Sequence, residues 1–98
     1  MSKQAFYIKE NSWLAKLAAK KLSAKTVAMV LGKTIHLSGC TKERFLADEG
    51  WVKHELCHIK QFAAHGYILF VFKYLRESLR VGYYNNKFEV EARAAENI

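Results

Sequence analysis

The stretch His54-Glu55-Leu56-Cys57-His58, HELCH in one-letter code, lies just past the middle of the chain and decides how the rest is interpreted. It fits the pattern His-Glu-x-x-His, within a predicted helix from about residue 50 to residue 65. Residues four apart on a helix differ by about 40° around its axis. His54 and His58 can therefore direct their imidazole nitrogens to one zinc ion. Glu55 lies beside that face, where a carboxylate can act as general base toward an activated water molecule.

The five-residue pattern also arises by chance, in about one chain in a hundred of this composition, so a metal site needs a third ligand. His65 lies on the same side of the helix as His58 but about 10 Å further along the axis, which excludes it from the same tetrahedron. His36 lies on a predicted half-buried strand. It is a less favoured candidate, because a polar residue there usually makes ordinary hydrogen bonds.

Residues 88–96, FEVEARAAE, offer carboxylates on a second predicted helix. Two histidines and one carboxylate, with the fourth position open, form a ligand set of catalytic zinc. Glu89 and Glu91 are about 200° apart around a helix, so only one of them can face the metal. Glu89 also follows Asn86 by three residues, as the glutamate of a capping box does, and that role conflicts with metal binding unless the helix begins a turn earlier. The residues alone leave both glutamates as candidates.

HELCH followed by FEVEA resembles the gluzincin class of zinc peptidases, over about residues 34–96. The chain is most similar to the CAAX-prenyl-protease-type and heat-shock membrane metallopeptidases and to their minimal soluble relatives, the minigluzincins. The resemblance implies that Glu89 begins the family's Glu-x-x-Ala-Asp signature and is the third zinc ligand, with Ala92 as its small residue. Arg93 replaces the signature's aspartate, which usually braces a zinc-bound histidine. Glu91 or Glu96 is then expected to supply that brace.

The resemblance also implies how a substrate would bind. In gluzincins the edge strand of the sheet pairs with an extended peptide, and here that strand corresponds to Lys33, Thr34, Ile35, His36 and Leu37. Tyr83 and Tyr84 are candidates, by position, for stabilising the oxyanion. Minimal gluzincins are latent, with a terminal segment in the cleft. The arm before residue 12 and the tail after Glu91 are the segments expected to do this here.

The remaining patterns predict an α+β fold in one zincin-like domain that spans residues 1–98. Residues 1–11 are predicted as a flexible arm and residues 11–23 as an amphipathic helix. Strands at 26–31 and 34–37, joined at Gly32, form a small sheet or hairpin. A helical turn begins at Thr41, and three helices follow at about 50–65, 67–81 and from 86 onward, with the metal between two of them. The apolar stripe of the first helix is predicted to consist of Trp13, Leu14, Leu17, Ala18 and Leu22.

The net charge of +7 favours acidic partners, such as an anionic membrane surface or nucleic acid. Nucleic acid is the less favoured of these, because the chain lacks the aromatic-plus-basic motif of a known module. No apolar run is long enough to cross a bilayer, and the first residues lack the core of a signal peptide. Cys40 and Cys57 are expected to be reduced thiols, so a cytoplasmic location is predicted.

Two functions of different classes follow from these observations. The first is a zinc metalloendopeptidase that hydrolyses peptide bonds with Glu55 as general base and has low activity on general protein substrates. The alternative is a basic binding module for nucleic acid or an anionic membrane surface, in which His54 and His58 are structural. A zinc site that serves folding alone would show four protein ligands instead of an open position.

Overall fold

Five helices and three short strands make up residues 6–98, the part of the chain that the computed structural model describes. The predicted α+β fold is confirmed. In chain order the elements are β1 (Tyr7–Lys9), α1 (Trp13–Leu22), β2 (Val27–Leu31), β3 (Thr34–Ser38), α2 (Lys42–Ala47), α3 (Glu49–His65), α4 (Tyr67–Asn85) and α5 (Lys87–Ala95).

The sheet has the strand order β1-β3-β2. β2 and β3 form the predicted hairpin, with Leu31 opposite Thr34 across a two-residue turn. Gly32 begins that turn with φ 65°, a conformation that glycine adopts without steric cost. Both strands are rich in β-branched and other apolar residues that suit a half-buried sheet.

The strand β1 was not predicted, and it changes which strand lies at the edge. Residues 7–9, assigned to a flexible arm, pair in parallel with β3, so that Tyr7 lies opposite Thr34 and Lys9 opposite His36. Residues 1–5 of that arm lie outside the described residues. Because β3 has partners on both sides, the prediction that residues 33–37 form the edge strand is wrong. The edge strands are β1 and β2.

The helix α1 packs through its smallest side chains. Ser12 caps it by accepting a hydrogen bond from the backbone N–H of Ala15. Ala15 and Ala19 are buried against Val27 of the sheet, since alanine lets a helix approach a strand closely. The predicted apolar stripe is therefore not the packed face, and three of its members are more than half exposed: Trp13, Leu17 and Leu22.

The long helices enclose the main core and meet at well-defined ends. Asp48 caps α3, and Gly66, with φ 86°, separates α3 from α4. Gly82 has φ 85° and kinks α4 near its end, where the sequence predicted that the helix would stop. Four phenylalanines from four different helices meet over Ile35 and Leu37 of the central strand: Phe45, Phe62, Phe70 and Phe88. Among the described residues, no helix has both the length and the apolar character needed to cross a membrane.

Candidate metal centre

The helices α3 and α5 bring together the two histidines of HELCH and one late glutamate. Glu89 Oε1 lies 3.1 Å from Nε2 of His54, and Glu89 Oε2 lies 3.2 Å from Nε2 of His58. One ligand atom from each residue can be chosen so that all lie within 4.8 Å of one another. Ligands of tetrahedral zinc at about 2.0–2.1 Å are separated by about 3.4 Å. His54, His58 and Glu89 could therefore hold a metal ion.

Glu89 is free for this role because other groups cap α5. The side chain of Asn86 accepts a hydrogen bond from the N–H of Phe88, and the N–H of Asn86 itself donates to the carbonyl of Tyr83. The capping-box bond that would have occupied Glu89 is not made. The alternative ligand Glu91 is turned away from the histidines and accepts a hydrogen bond from Gln61, at 2.6 Å. Glu89 is thus the late glutamate that faces the imidazoles.

Both histidines are held through their Nδ1 atoms. Nδ1 of His54 donates to Glu96 Oε2 at 2.6 Å, and Nδ1 of His58 donates to Gln61 Oε1 at 2.9 Å. Gln61 is itself fixed, since its amide donates to the carbonyl of Phe88. Such bonds orient the rings so that each Nε2 faces Glu89, as in a site where all three hold one metal ion. Glu96, one of the two residues expected to do so, therefore braces His54.

Arg93 interacts with Tyr84 and not with the histidines. Its guanidinium lies 4.0 Å from the ring centre of Tyr84 and donates to that residue's carbonyl at 2.6 Å. Tyr84, a predicted catalytic candidate, is exposed and does not line the cavity beside the triad.

The charges of the cluster suit a cation. Burial alone would raise the pKa of Glu89, but hydrogen bonds from His54, His58 and Tyr74 outweigh it and hold that pKa well below its usual range. Burial alone would lower the pKa of His54, yet its bonds to Glu89 and Glu96 raise the pKa to about 9. In the metal-free protein these carboxylates therefore stabilise the protonated, positively charged form of His54. A bound metal ion would place its positive charge at the same position.

Glu55 points into the same site and has an unpaired oxygen. Its side chain is buried, and no hydrogen-bond donor of the described residues reaches its Oε1. Burial raises the pKa of Glu55 to about 7, opposed by the nearby His58 and His54. A buried polar atom without a partner is costly in a native structure. A carboxylate placed this way fits a site that accepts a polar ligand from outside the chain.

Two tyrosines line the site, and one of them was not foreseen from the sequence. The hydroxyl of Tyr74 donates to Glu89 Oε2 at 2.5 Å, and Tyr74 packs against the aromatic core from α4. Tyr83, a predicted candidate, also lines the site, and burial raises the pKa of its hydroxyl to about 12. Tyr74 follows Phe70 by one turn on the buried side of α4. A buried tyrosine hydroxyl needs a polar partner, and this requirement is the feature of the sequence that could have identified Tyr74 as part of the site.

A cavity of about 290 Å³ leads to the triad from the edge of the sheet. β2 (Val27–Leu31) forms much of its wall, together with apolar residues of α1 and α4 such as Leu22, Val71 and Leu75. None of the five predicted substrate-binding residues, Lys33, Thr34, Ile35, His36 and Leu37, lines it. They belong to the turn and to the central strand, and β2 takes the place that was assigned to them. We call this cavity the groove.

The remaining histidines and the carboxyl-terminal tail lie elsewhere. Nδ1 of His36 is 2.7 Å from Ser12 Oγ, and Nδ1 of His65 is 3.0 Å from Lys73 Nζ, so neither belongs to the triad. Lys53 of α3 donates to the carbonyl of Ile98, which holds the tail against that helix. No residue of the tail after Glu91 lines the groove. The other segment predicted to enter the cleft is the amino-terminal arm, and its first residues lie outside the described residues.

Comparison with known proteins adds no relative: no protein family, no curated protein and no solved structure matches the chain.

Proposed function

We propose that the protein is a zinc-dependent metallopeptidase of the gluzincin type. The observation that carries the proposal is the carboxylate of Glu89 between the Nε2 atoms of His54 and His58, beside the buried and unpaired oxygen of Glu55. Two imidazoles and one carboxylate are a donor set of catalytic zinc, whereas magnesium and calcium prefer oxygen alone. The resemblance of HELCH and FEVEA to gluzincin motifs supports the same assignment.

Each residue of the site has a distinct task in peptide hydrolysis. Zinc held by the triad would supply Lewis-acid polarisation of the scissile carbonyl group. Glu55, whose buried carboxyl group lies beside the triad, takes a proton from the attacking water molecule and passes it to the leaving amine. Tyr83 is the candidate donor toward the oxyanion, since it lines the groove beside the triad. Tyr74 fixes the orientation of Glu89.

The free edge of β2 offers a way to bind the substrate. The two-residue turn makes Leu31 and Thr34 a hydrogen-bonded pair. Hydrogen-bonded and non-hydrogen-bonded pairs alternate along an antiparallel ladder, so the main-chain N–H and C=O groups of Ala28 and Val30 point away from β3. An extended peptide can pair with these groups while its side chains enter the apolar groove. A groove of about 290 Å³ has room for few specificity pockets. We therefore expect slow turnover of general protein substrates.

Metal analysis tests the first half of the proposal. Untagged protein should carry about one zinc per chain, because three ligands on two helices form one site. His58→Ala and Glu89→Ala should lose the metal. His65→Ala is the matched control, since His65 lies on the same helix outside the triad and its loss should leave the zinc content unchanged. Wild-type protein that binds no zinc after reconstitution would overturn the proposal.

Hydrolysis of a fluorogenic peptide library tests the second half. Glu55→Gln should retain zinc, since Glu55 is not a ligand, and should lose about 10²–10⁴-fold in kcat/KM, the usual share of general base catalysis. Tyr83→Phe should lower kcat more than it raises KM. A metal-loaded wild type with no turnover of any library member, or a Glu55→Gln variant as active as wild type, contradicts the peptidase assignment and leaves a metal site that serves folding.

A further inference from the structure

The helix α4 is apolar on two opposite faces, and only one of them packs against the protein. Phe70 and Tyr74 face the aromatic core. On the other side four large apolar residues recur at intervals of three or four, which places them within about 60° of one another around the helix. They are 76%, 66%, 53% and 89% exposed, respectively: Ile68, Phe72, Leu75 and Leu79. We call these four residues the outer stripe.

The outer stripe is a continuous surface and not a scatter of single exposed residues. It runs along three turns of α4, and Leu69, also more than half exposed, widens it at the amino-terminal end. A helix that is apolar on both sides is normally buried on both sides. Contiguous apolar patches of this kind mark binding surfaces for proteins or membranes. The outer stripe is therefore a surface that a partner should cover.

The charges beside the outer stripe select the kind of partner. Arg76 is exposed next to Leu79 and Phe72, whereas Arg80, one turn further on, is paired with Glu77. The acidic residue of α4, Glu77, lies on the opposite side, where it is buried and receives hydrogen bonds from Arg80 and the N–H of Lys87. A second copy of the chain would bring like charges together across a symmetric contact. The basic flank instead complements an anionic surface.

We propose that α4 docks on the surface of an anionic phospholipid membrane. The helix lies in the plane of the interface, with the outer stripe inserted among the acyl chains and Arg76 at the level of the phosphates. The opposite face of α4 remains packed on the core, so docking requires no unfolding. Sixteen basic against nine acidic residues in the chain add long-range attraction to such a surface.

Docking in this orientation would place the groove beside the lipid. Leu75 belongs both to the outer stripe and to the groove wall, and Leu22 of α1, another residue of the groove wall, is more than half exposed. Substrates held at the membrane would then reach β2 directly. This consequence rests on the proposed peptidase function, whereas docking itself does not depend on metal or on Glu55.

Vesicle co-sedimentation of the full chain tests the docking. Wild-type protein should bind vesicles of phosphatidylcholine mixed with phosphatidylserine, and bind vesicles of phosphatidylcholine alone at least tenfold more weakly. Leu79→Glu should lower the affinity for the mixed vesicles by at least tenfold, because it places a carboxylate in the inserted stripe. Arg76→Gln should lower it about fivefold, the effect of one cation at an anionic surface. Added salt should weaken wild-type binding.

Leu46→Glu is the matched control. Leu46 is exposed on α2, away from α4, so the same change of charge there should leave the affinity within twofold. Leu79 makes little packing contact at 89% exposure, and circular dichroism of Leu79→Glu should match the wild type. Glu55→Gln should bind vesicles like the wild type, which separates docking from peptidase activity.

Three results would overturn the docking proposal. The first is a wild type that does not bind the mixed vesicles. The second is binding that Leu79→Glu leaves unchanged, or that is equal for neutral and anionic vesicles. The third is a wild-type dimer in light scattering that Leu79→Glu dissociates, since the outer stripe would then be covered by a second copy of the chain.

Discussion

Glu55 lies in a position that favours function over stability. It is a buried carboxyl group with an unpaired oxygen, and burial raises its pKa from 4.5 to about 7. A carboxyl group whose pKa is raised in the folded state binds its proton more tightly there than in the unfolded chain. It therefore lowers the free energy of unfolding progressively as the pH rises from about 4.5 to about 7, and the full loss persists at higher pH.

Replacing Glu55 by glutamine should therefore stabilise the metal-free protein at high pH. We expect Glu55→Gln to raise the free energy of unfolding by about 1–3 kcal/mol at pH 8 and to change it little at pH 4.5. Urea denaturation in the presence of a chelator measures both values. Glu43→Gln, at an exposed carboxyl group of α2, should change stability by less than about 0.5 kcal/mol at either pH. Equal effects of Glu55→Gln at the two pH values would contradict the raised pKa.

Glu96 should contribute to metal affinity without touching the metal. Its carboxylate accepts the Nδ1 proton of His54 and so fixes the ring with Nε2 toward Glu89. Glu96→Ala should weaken zinc binding by about 10–100-fold, as the loss of such a brace usually does, and Glu96→Gln should restore part of it. Competition with a fluorescent chelator measures the affinity. Asn97→Ala is the neighbouring control, and if it had an equal effect the tail as a whole would be responsible.

The sequence predicted the chemistry of these residues better than their exact roles. The spacing in HELCH places two imidazoles on one helical face, and this holds wherever the helix packs. The choice between Glu89 and Glu91 depended on which face of α5 meets α3. That is a tertiary property, and so is the absence of Tyr84 from the site, because Arg93 holds that tyrosine at the surface.

Asn86 links two elements of the site. It is fully buried, its Oδ1 caps α5, and its Nδ2 donates to the carbonyl of Tyr74 at 3.1 Å and to Ser78 Oγ at 2.8 Å. The same side chain thus ends α4 and begins α5. These bonds position Glu89, which lies three residues further on.

Asn86→Ala should lower both stability and metal affinity. It removes a cap and leaves buried polar groups of α4 without partners, which together cost about 2–4 kcal/mol. Zinc affinity should fall as well, because α5 carries Glu89. Asn86→Asp keeps the cap and loses the two amide bonds, so its stability should lie between those of wild type and Asn86→Ala. Thermal unfolding and zinc titration measure the two effects, and unchanged zinc affinity in Asn86→Ala would contradict the link.

Elements with strong local signals were predicted well, and elements defined by distant partners were not. The bounds of β2 and α3 agree with the sequence patterns within a residue, because β-branched runs and glycine stops are local signals. The three residues of β1 form a strand only because β3, far along the chain, offers an edge. The packed face of α1 was missed because closeness to the sheet favoured its alanines over its larger residues.

At the scale of the whole molecule, the candidate metal centre joins the middle of the chain to its end. His54 and His58 lie on α3 and Glu89 on α5, so a bound metal would cross-link two helices that already share hydrogen bonds and ion pairs. A ligand that binds only the folded protein stabilises it by RT ln(1 + [L]/Kd), about 4 kcal/mol when its concentration is a thousand times Kd.

Chelation should therefore lower the thermal stability of the wild type. We expect a lower Tm in excess chelator at pH 7.5, restored by zinc, and no such difference for Glu89→Ala. The difference should vanish near pH 5, because protonated imidazoles do not bind metal. Calorimetry with matched buffers measures it. A wild-type Tm that is independent of zinc and chelator at pH 7.5 would show that the three residues do not bind metal in the folded protein.

The brace on His54 comes from the last turn of the chain, and the carbonyl of Ile98 is tied to Lys53 in the same place. The orientation of His54 thus depends on Glu96, which lies just past the end of α5 (Lys87–Ala95). Deletion of residues 96–98 would release the imidazole of His54 while sparing all of α5. Loss of these residues would therefore lower the metal occupancy of an otherwise intact fold.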